Sequence, residues 1–188
     1  MNWINYKKQI IETLNNADIS DEVLEILRES KSKNRKIYIT GNGGSASTAT
    51  HFSCDLSLGA SRNNYLDNFD RYSVIPLTTN MPLILALAND FGYEEIFKQQ
   101  LINLAKEGDI LIAISGSGNS KNIIKAVDYA KDIKMIVIGL SGYDGGALKK
   151  ISDYSIHVNS DFMEVCEDIH SVICHFIAVY LREFEEGH

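Results

Sequence analysis

Lys36-Ile37-Tyr38-Ile39-Thr40-Gly41-Asn42-Gly43-Gly44-Ser45 runs a short apolar stretch straight into a glycine-rich loop, and a helical pattern over 45–57 follows. KIYIT (36–40) has the length and the β-branched and aromatic content of a buried strand. The rhythm then repeats along the chain. YSVIPL (72–77) precedes helical segments around 82–89 and 93–106. DILIAI (109–114) precedes SGSGNS (115–120) and a helix to about 131. KMIVIGL (134–140) precedes SGYDGG and a short helix, and YSIHV (154–158) precedes a long helix over about 162–184. Short apolar strands alternating with helices predict an α/β fold: three layers, doubly wound, with a five-stranded parallel sheet covered on both faces. The expected strand order is 2-1-3-4-5, the flavodoxin-like one.

Two helical patterns stand ahead of the first strand. Trp3, Ile4, Ile10, Ile11 and Leu14 recur at helical spacing in 2–16, and Ser20 stands where it would cap a helix carrying Val23, Leu24, Ile26 and Leu27. No repeat, low-complexity tract or linker divides the chain, so a single domain is expected over 1–188. Residues 1–34 would form an N-terminal helical segment for oligomerisation and 35–185 the α/β core. The closing Glu186-Gly187-His188 resembles a tag remnant.

With 45% apolar and 23% charged residues, the 188-residue chain has the balance of an ordinary globular domain. Its net charge of −7 argues against nucleic acid or an anionic membrane as partner, since either needs a basic face. No run approaches the roughly 18 apolar residues of a membrane span, and the N-terminus lacks a signal-peptide core. Cys54, Cys166 and Cys174 are odd in number and lack CxxC spacing, so they are expected to be reduced thiols of a cytoplasmic protein.

In an open parallel sheet, ligands bind beyond the carboxyl ends of the strands. Gly41-Asn42-Gly43-Gly44-Ser45 and Ser115-Gly116-Ser117-Gly118-Asn119-Ser120 both stand at such ends. Glycine lets backbone N–H groups approach an anion, and each loop opens a helix whose dipole favours negative charge. The second loop adds three uncharged hydroxyls, suited to a phosphate monoester. The alternative is a pair of tight strand-to-helix turns in which Ser45 and Ser120 only cap helices. Neither loop continues as Gly-Lys-Ser/Thr and the first lacks GxGxxG spacing, so no nucleotide cofactor is expected.

The pair GNGGSA and SGSGNS, with ANDFGY (88–93) between them, resembles the sugar isomerase (SIS) domain family. GNGGS followed by His51 in HFxxDL is similar to the phosphoheptose isomerase group within it, and the likeness runs nearly the whole chain. The resemblance implies an aldose–ketose isomerase converting sedoheptulose 7-phosphate to D-glycero-D-manno-heptose 7-phosphate for a heptose-containing glycan. It implies that Ser115, Ser117 and Ser120, with Gly116 in the same loop, hold the phosphate, and that Asn42, Gly43, Gly44, Ser45, Asn89 and Asp90 line the sugar.

Moving a proton between C1 and C2 through an enediol needs groups that take and return it, and something to steady the oxyanion. His51 and Asp55, four apart, share a helix face. Glu167 and His175 lie eight apart on the last helix, displaced by about 80°. The resemblance makes Asp55 and His175 the catalytic pair, adds Asp55 and Glu167 to the sugar contacts, and implies one zinc per subunit held by His51, Asp55, Glu167 and His175. Three positions depart from the family pattern. Asp55 replaces a glutamate, Glu167 a glutamine, and Gly116 a threonine.

His170 is expected to be a buried, satisfied histidine, Glu164 and Asp168 solvated or helix-terminal charges, and the cysteines core-facing. Specificity differences are expected from NYLDNFDRY (64–72). The competing readings are a non-catalytic SIS-domain sugar-phosphate sensor or replication-initiator-associating protein, and an isomerase of another sugar phosphate. The two N-terminal apolar stripes predict an oligomer. The related isomerases make it a homotetramer.

Overall fold

The computed structural model describes residues 1–58, 60 and 71–185. Its elements follow the predicted rhythm: α1 (Trp3–Asn15), α2 (Asp21–Ser32), β1 (Lys36–Thr40), α3 (Gly44–Ser57), β2 (Ser73–Pro76), α4 (Met81–Phe91), α5 (Lys98–Leu104), β3 (Ile110–Ser115), α6 (Lys121–Asp132), β4 (Ile136–Ser141), α7 (Gly146–Ile151), β5 (Tyr154–His157) and α8 (Met163–Glu185). The strands form one parallel sheet in the order β2-β1-β3-β4-β5, as the sequence predicts. Most of 64–72 and the terminal tripeptide lie outside the described residues. Tyr72, the last of that segment, is buried.

The side-chain period of two sorts the strands between two cores. Ile37, Ile39, Ile110, Ile112 and Ile114 face α2, α3 and α8, while Tyr38, Leu111, Ala113 and Val137 face the helices of the other layer. The expected start of the third strand at residue 109 shifts by one. Asp109 is fully buried and its carboxylate accepts from the amides of Lys36 and Lys106, tying the beginnings of β1 and β3 together. The helical pattern over 93–106 divides into a 3₁₀ turn, Tyr93–Glu95, and α5.

The N-terminal expectation needs correction in one half. Val23, Leu24 and Leu27 of α2 are buried in the same core as β1, α3 and α8, so this stripe is used within the chain. Ser20 stands at the N-cap of α2, but its side chain makes no cap bond. Helix α1 divides its apolar residues. Tyr6 and Ile10 pack against the core and Tyr6 Oη donates to Asp168 at 2.7 Å, whereas Trp3, Ile4, Ile11 and Leu14 are exposed. Among the described residues no helix is long and apolar enough to cross a membrane.

Candidate active site

Both glycine-rich loops sit where the sheet topology puts them, after β1 and after β3, and these strands are neighbours. The serine loop is folded on itself. Ser115, the last residue of β3, is almost fully buried and its Oγ donates to Ser120 Oγ at 3.2 Å. Ser117 Oγ accepts from the Asn119 amide at 3.2 Å, and Asn119 Oδ1 in turn accepts from the Ala147 amide at 3.0 Å. Ser120 occupies the N-cap position of α6 without capping it, and α3 is preceded by Gly43, with Ser45 already inside the helix. The two hydroxyls that a purely structural turn would use as caps are therefore not caps.

Gly116 is explained by its neighbour. A β-carbon there would collide with Met163 Sδ, at the first turn of α8, so the thioether fills the space a larger residue would need. Met163 lines a cavity of about 430 Å³ with Ser117, Asn119, Tyr143, Asp144 and Asp161.

Helices α3 and α8 lie side by side and run in the same sense. Glu167 of α8 meets Gly44 at the start of α3, and His175, two turns on, meets His51. His51 Nε2 and His175 Nε2 are 2.9 Å apart with the rings edge-on, and Asp55 Oδ2 lies 3.5 Å from the first and 3.7 Å from the second. That oxygen is buried and has no hydrogen-bond partner among the described residues. Two imidazole nitrogens and a buried carboxylate oxygen lie close enough together to hold a metal ion, and the donor set fits zinc. Glu167 stands apart, about 12 Å along α8 from His175 at 1.5 Å per residue, against Gly44 and Ser45. Burial pushes its carboxyl up, helped by Glu164 and Asp168, while the Ser45 backbone holds it down.

Asn42 is held by a reciprocal amide pair. Its Nδ2 donates to Asn122 Oδ1 at 2.9 Å and its Oδ1 accepts from Asn122 Nδ2 at 2.8 Å. Tyr93 Oη donates to the same Oδ1 at 2.8 Å. Asn89 and Asp90 are exposed, and Asn89 Nδ2 donates to Asp90 Oδ1. Within ANDFGY it is Tyr93 that reaches GNGGS. A tyrosine two residues past a helix and an asparagine in the first turn of α6 carry no signal of their own in the sequence.

Two expectations fail here. Cys166 and Cys174 are buried as predicted, with Cys174 pushed well up by burial, but Cys54 is exposed. Residue 54 is one turn from His51 on the outer side of α3, and both line a cavity of about 540 Å³. His170 is buried as expected but not satisfied, since neither ring nitrogen has a hydrogen-bond partner among the described residues.

The SIS domain family model matches residues 2–142. A phosphoheptose isomerase of Helicobacter pylori is 40% identical over 154 residues, covering 82% of this chain and 78% of its own. Solved phosphoheptose isomerases from Francisella tularensis and Neisseria gonorrhoeae superpose with TM-scores of 0.83 and 0.78 at 30% and 28% identity. They cover 94% of this chain each, and 92% and 89% of their own. The chain belongs to the SIS domain family and, within it, to the phosphoheptose isomerases, enzymes that interconvert aldose and ketose.

Proposed function

We propose that this chain isomerises sedoheptulose 7-phosphate to D-glycero-D-manno-heptose 7-phosphate in the cytoplasm, supplying a heptose-containing glycan. The observation that carries the reading is the convergence of His51 Nε2, His175 Nε2 and Asp55 Oδ2 on one point between α3, the helix that the first loop opens, and α8. A protein that only sensed a sugar phosphate would have no need of it.

The phosphate belongs on the serine loop, at Ser115, Gly116, Ser117 and Ser120. The rival place, the start of α3, already has the Glu167 carboxylate against it, and a second anion there would be repelled. The sugar then extends across Gly43, Gly44, Ser45 and Asn42 toward Asp55, with Glu167 alongside and Asn89 and Asp90 at the rim. His175 and Asp55 are the pair that takes a proton from one carbon and returns it to the next. Zinc held by His51, Asp55 and His175 would polarise the sugar carbonyl and steady the enediolate, whereas Glu167, expected from the sequence as a fourth ligand, lies against Gly44 and outside that group. The test is to incubate the purified protein with sedoheptulose 7-phosphate and follow the aldose. Turnover is expected, and its absence at high enzyme concentration overturns the reading.

A further inference from the structure

The hydrogen bonds around Asn42 have a polarity that the backbone dictates. A side-chain amide can be turned about so that its oxygen and nitrogen exchange places, and a reciprocal pair survives when both members turn together. Here they cannot. The Ile123 backbone N–H donates to Asn122 Oδ1 at 3.0 Å, and a backbone N–H is always a donor. That N–H also donates to the Ser120 carbonyl at 3.0 Å, but turning the amide would set Asn122 Nδ2 against it, donor to donor, so Asn122 must present its oxygen to α6. Its Nδ2 must donate to Asn42 Oδ1, Asn42 Nδ2 must donate to Asn122 Oδ1, and Tyr93 Oη must be a donor to Asn42 Oδ1. Both lone pairs of that oxygen are then used.

Asn42 has one polar hydrogen left, the second on Nδ2. Toward a ligand it is a donor only. We propose that Asn122 and Tyr93 are positioning residues that hold Asn42 as a one-hydrogen donor to a sugar oxygen, and that they join the loop after β1 to the helix after β3. This rests on the proposed function. A donor held in advance stabilises an oxygen whose negative charge grows toward the enediolate more than it stabilises the neutral carbonyl. Losing the orientation should therefore lower kcat while leaving KM little changed.

The experiment compares Tyr93→Phe and Asn122→Asp, alone and with Asn42→Ala. The carboxylate introduced by Asn122→Asp would keep an acceptor for the Ile123 amide and for Asn42 but lose the donor. An acid in the first turn of a helix suits its dipole, so folding should survive. Each single variant is expected to lower kcat about 3- to 10-fold, the worth of one neutral hydrogen bond. KM should move less than kcat in Tyr93→Phe, and the melting temperature of that variant should stay close to the wild type. In the Asn42→Ala background neither change should lower kcat further, because both act through Asn42. A full second loss in that background overturns the proposal. If the wild-type protein does not turn over sedoheptulose 7-phosphate, the proposed function fails, and the relay is then read from side-chain amide NMR. The Asn42 amide hydrogens of the wild type should exchange slowly with solvent and those of Asn122→Asp faster. Equal exchange in the two proteins overturns it.

Discussion

The carboxylate of Glu167 lies so close over Gly44 that a β-carbon at that position would collide with both of its oxygens. Gly44 is the first residue of α3, so the missing side chain lets an acid from α8 approach the positive end of the helix. Gly44→Ala should force Glu167 aside and lower stability by about 1 kcal/mol, or roughly 2–4 °C in melting temperature for a chain of this size. In a Glu167→Ala background the sign should reverse, because alanine is the better helix residue once the collision is gone. Thermal unfolding of the four proteins checks this, and equal losses in both backgrounds would refute the contact.

Removing the Ser117 hydroxyl tests where the phosphate sits. A hydrogen bond to a charged group is worth about 1.5–3 kcal/mol, so Ser117→Ala should raise KM by about 10- to 150-fold. Asn119 loses one of its two bonds to residue 117 but keeps the one to the carbonyl, so the loop should hold its shape. An unchanged KM would send the phosphate to GNGGS after all.

The part of the site legible in the sequence was the part set by periodicity. The strands, the place of both loops and the shared face of His51 and Asp55 follow from spacings of two and four residues, whereas the strand order was taken from the common doubly wound pattern. That His175 completes the group depends on α3 and α8 running parallel, which the order of strands and crossovers allows. The position of Glu167 was not legible, since eight residues along a helix say nothing about which turn of a neighbour it meets. Cys54 was misread because its outward direction depends on which side of α3 the sheet takes. Tyr93 and Asn122 were missed because a hydrogen-bond relay has no sequence period.

His170 makes stability depend on pH. Burial pulls its pKa from 6.5 to about 4, with His157 adding a little and the Ser141 backbone opposing without making a full hydrogen bond. The unfolded chain thus binds the proton more readily, so stability is full above about pH 6.5 and is lost as the pH falls toward 4. Between pH 7.5 and 5 this amounts to about 2 kcal/mol. Glu167, shifted upward, acts in the opposite sense over part of that range, so the measurement must be a difference. Urea unfolding of wild type and His170→Gln should show the dependence shrinking by about that amount in the variant. Parallel pH profiles would show that the ring is not the cause.

The exposed apolar side of α1 predicts assembly. Trp3, Ile4 and Ile11 are more than half exposed, as are Leu85 and Phe91 of α4, which has no buried residue at all. Apolar faces of this extent are normally covered, and a homotetramer built on them is expected. Light scattering at micromolar concentration should give four chains per particle, and Ile4→Lys with Ile11→Lys should give smaller ones. A wild-type monomer rules the assembly out.

The sharpest test of the chemistry falls on Asp55 and His175, because each is proposed for two separable duties, proton transfer and metal binding. Asp55 Oδ2 is buried without a hydrogen-bond partner among the described residues, so it is available to a proton or to a metal, and His175 Nε2 faces it across 3.7 Å. Asp55→Asn preserves the shape but removes the charge, and His175→Gln removes the titrating ring. Each should lower kcat by about 10²- to 10⁴-fold if the residue moves the proton in the rate-limiting step. Metal content, measured on the same samples, separates the duties. Loss of zinc together with activity assigns the residue to the metal, whereas full zinc with lost turnover assigns it to proton transfer. Chelation of the wild type supplies the third arm. Activity that survives in a demonstrably metal-free sample would leave the Asp55–His175 pair working alone and remove the metal from the mechanism. Near-wild-type turnover in both variants would overturn the catalytic assignment itself and favour a sugar-phosphate sensor.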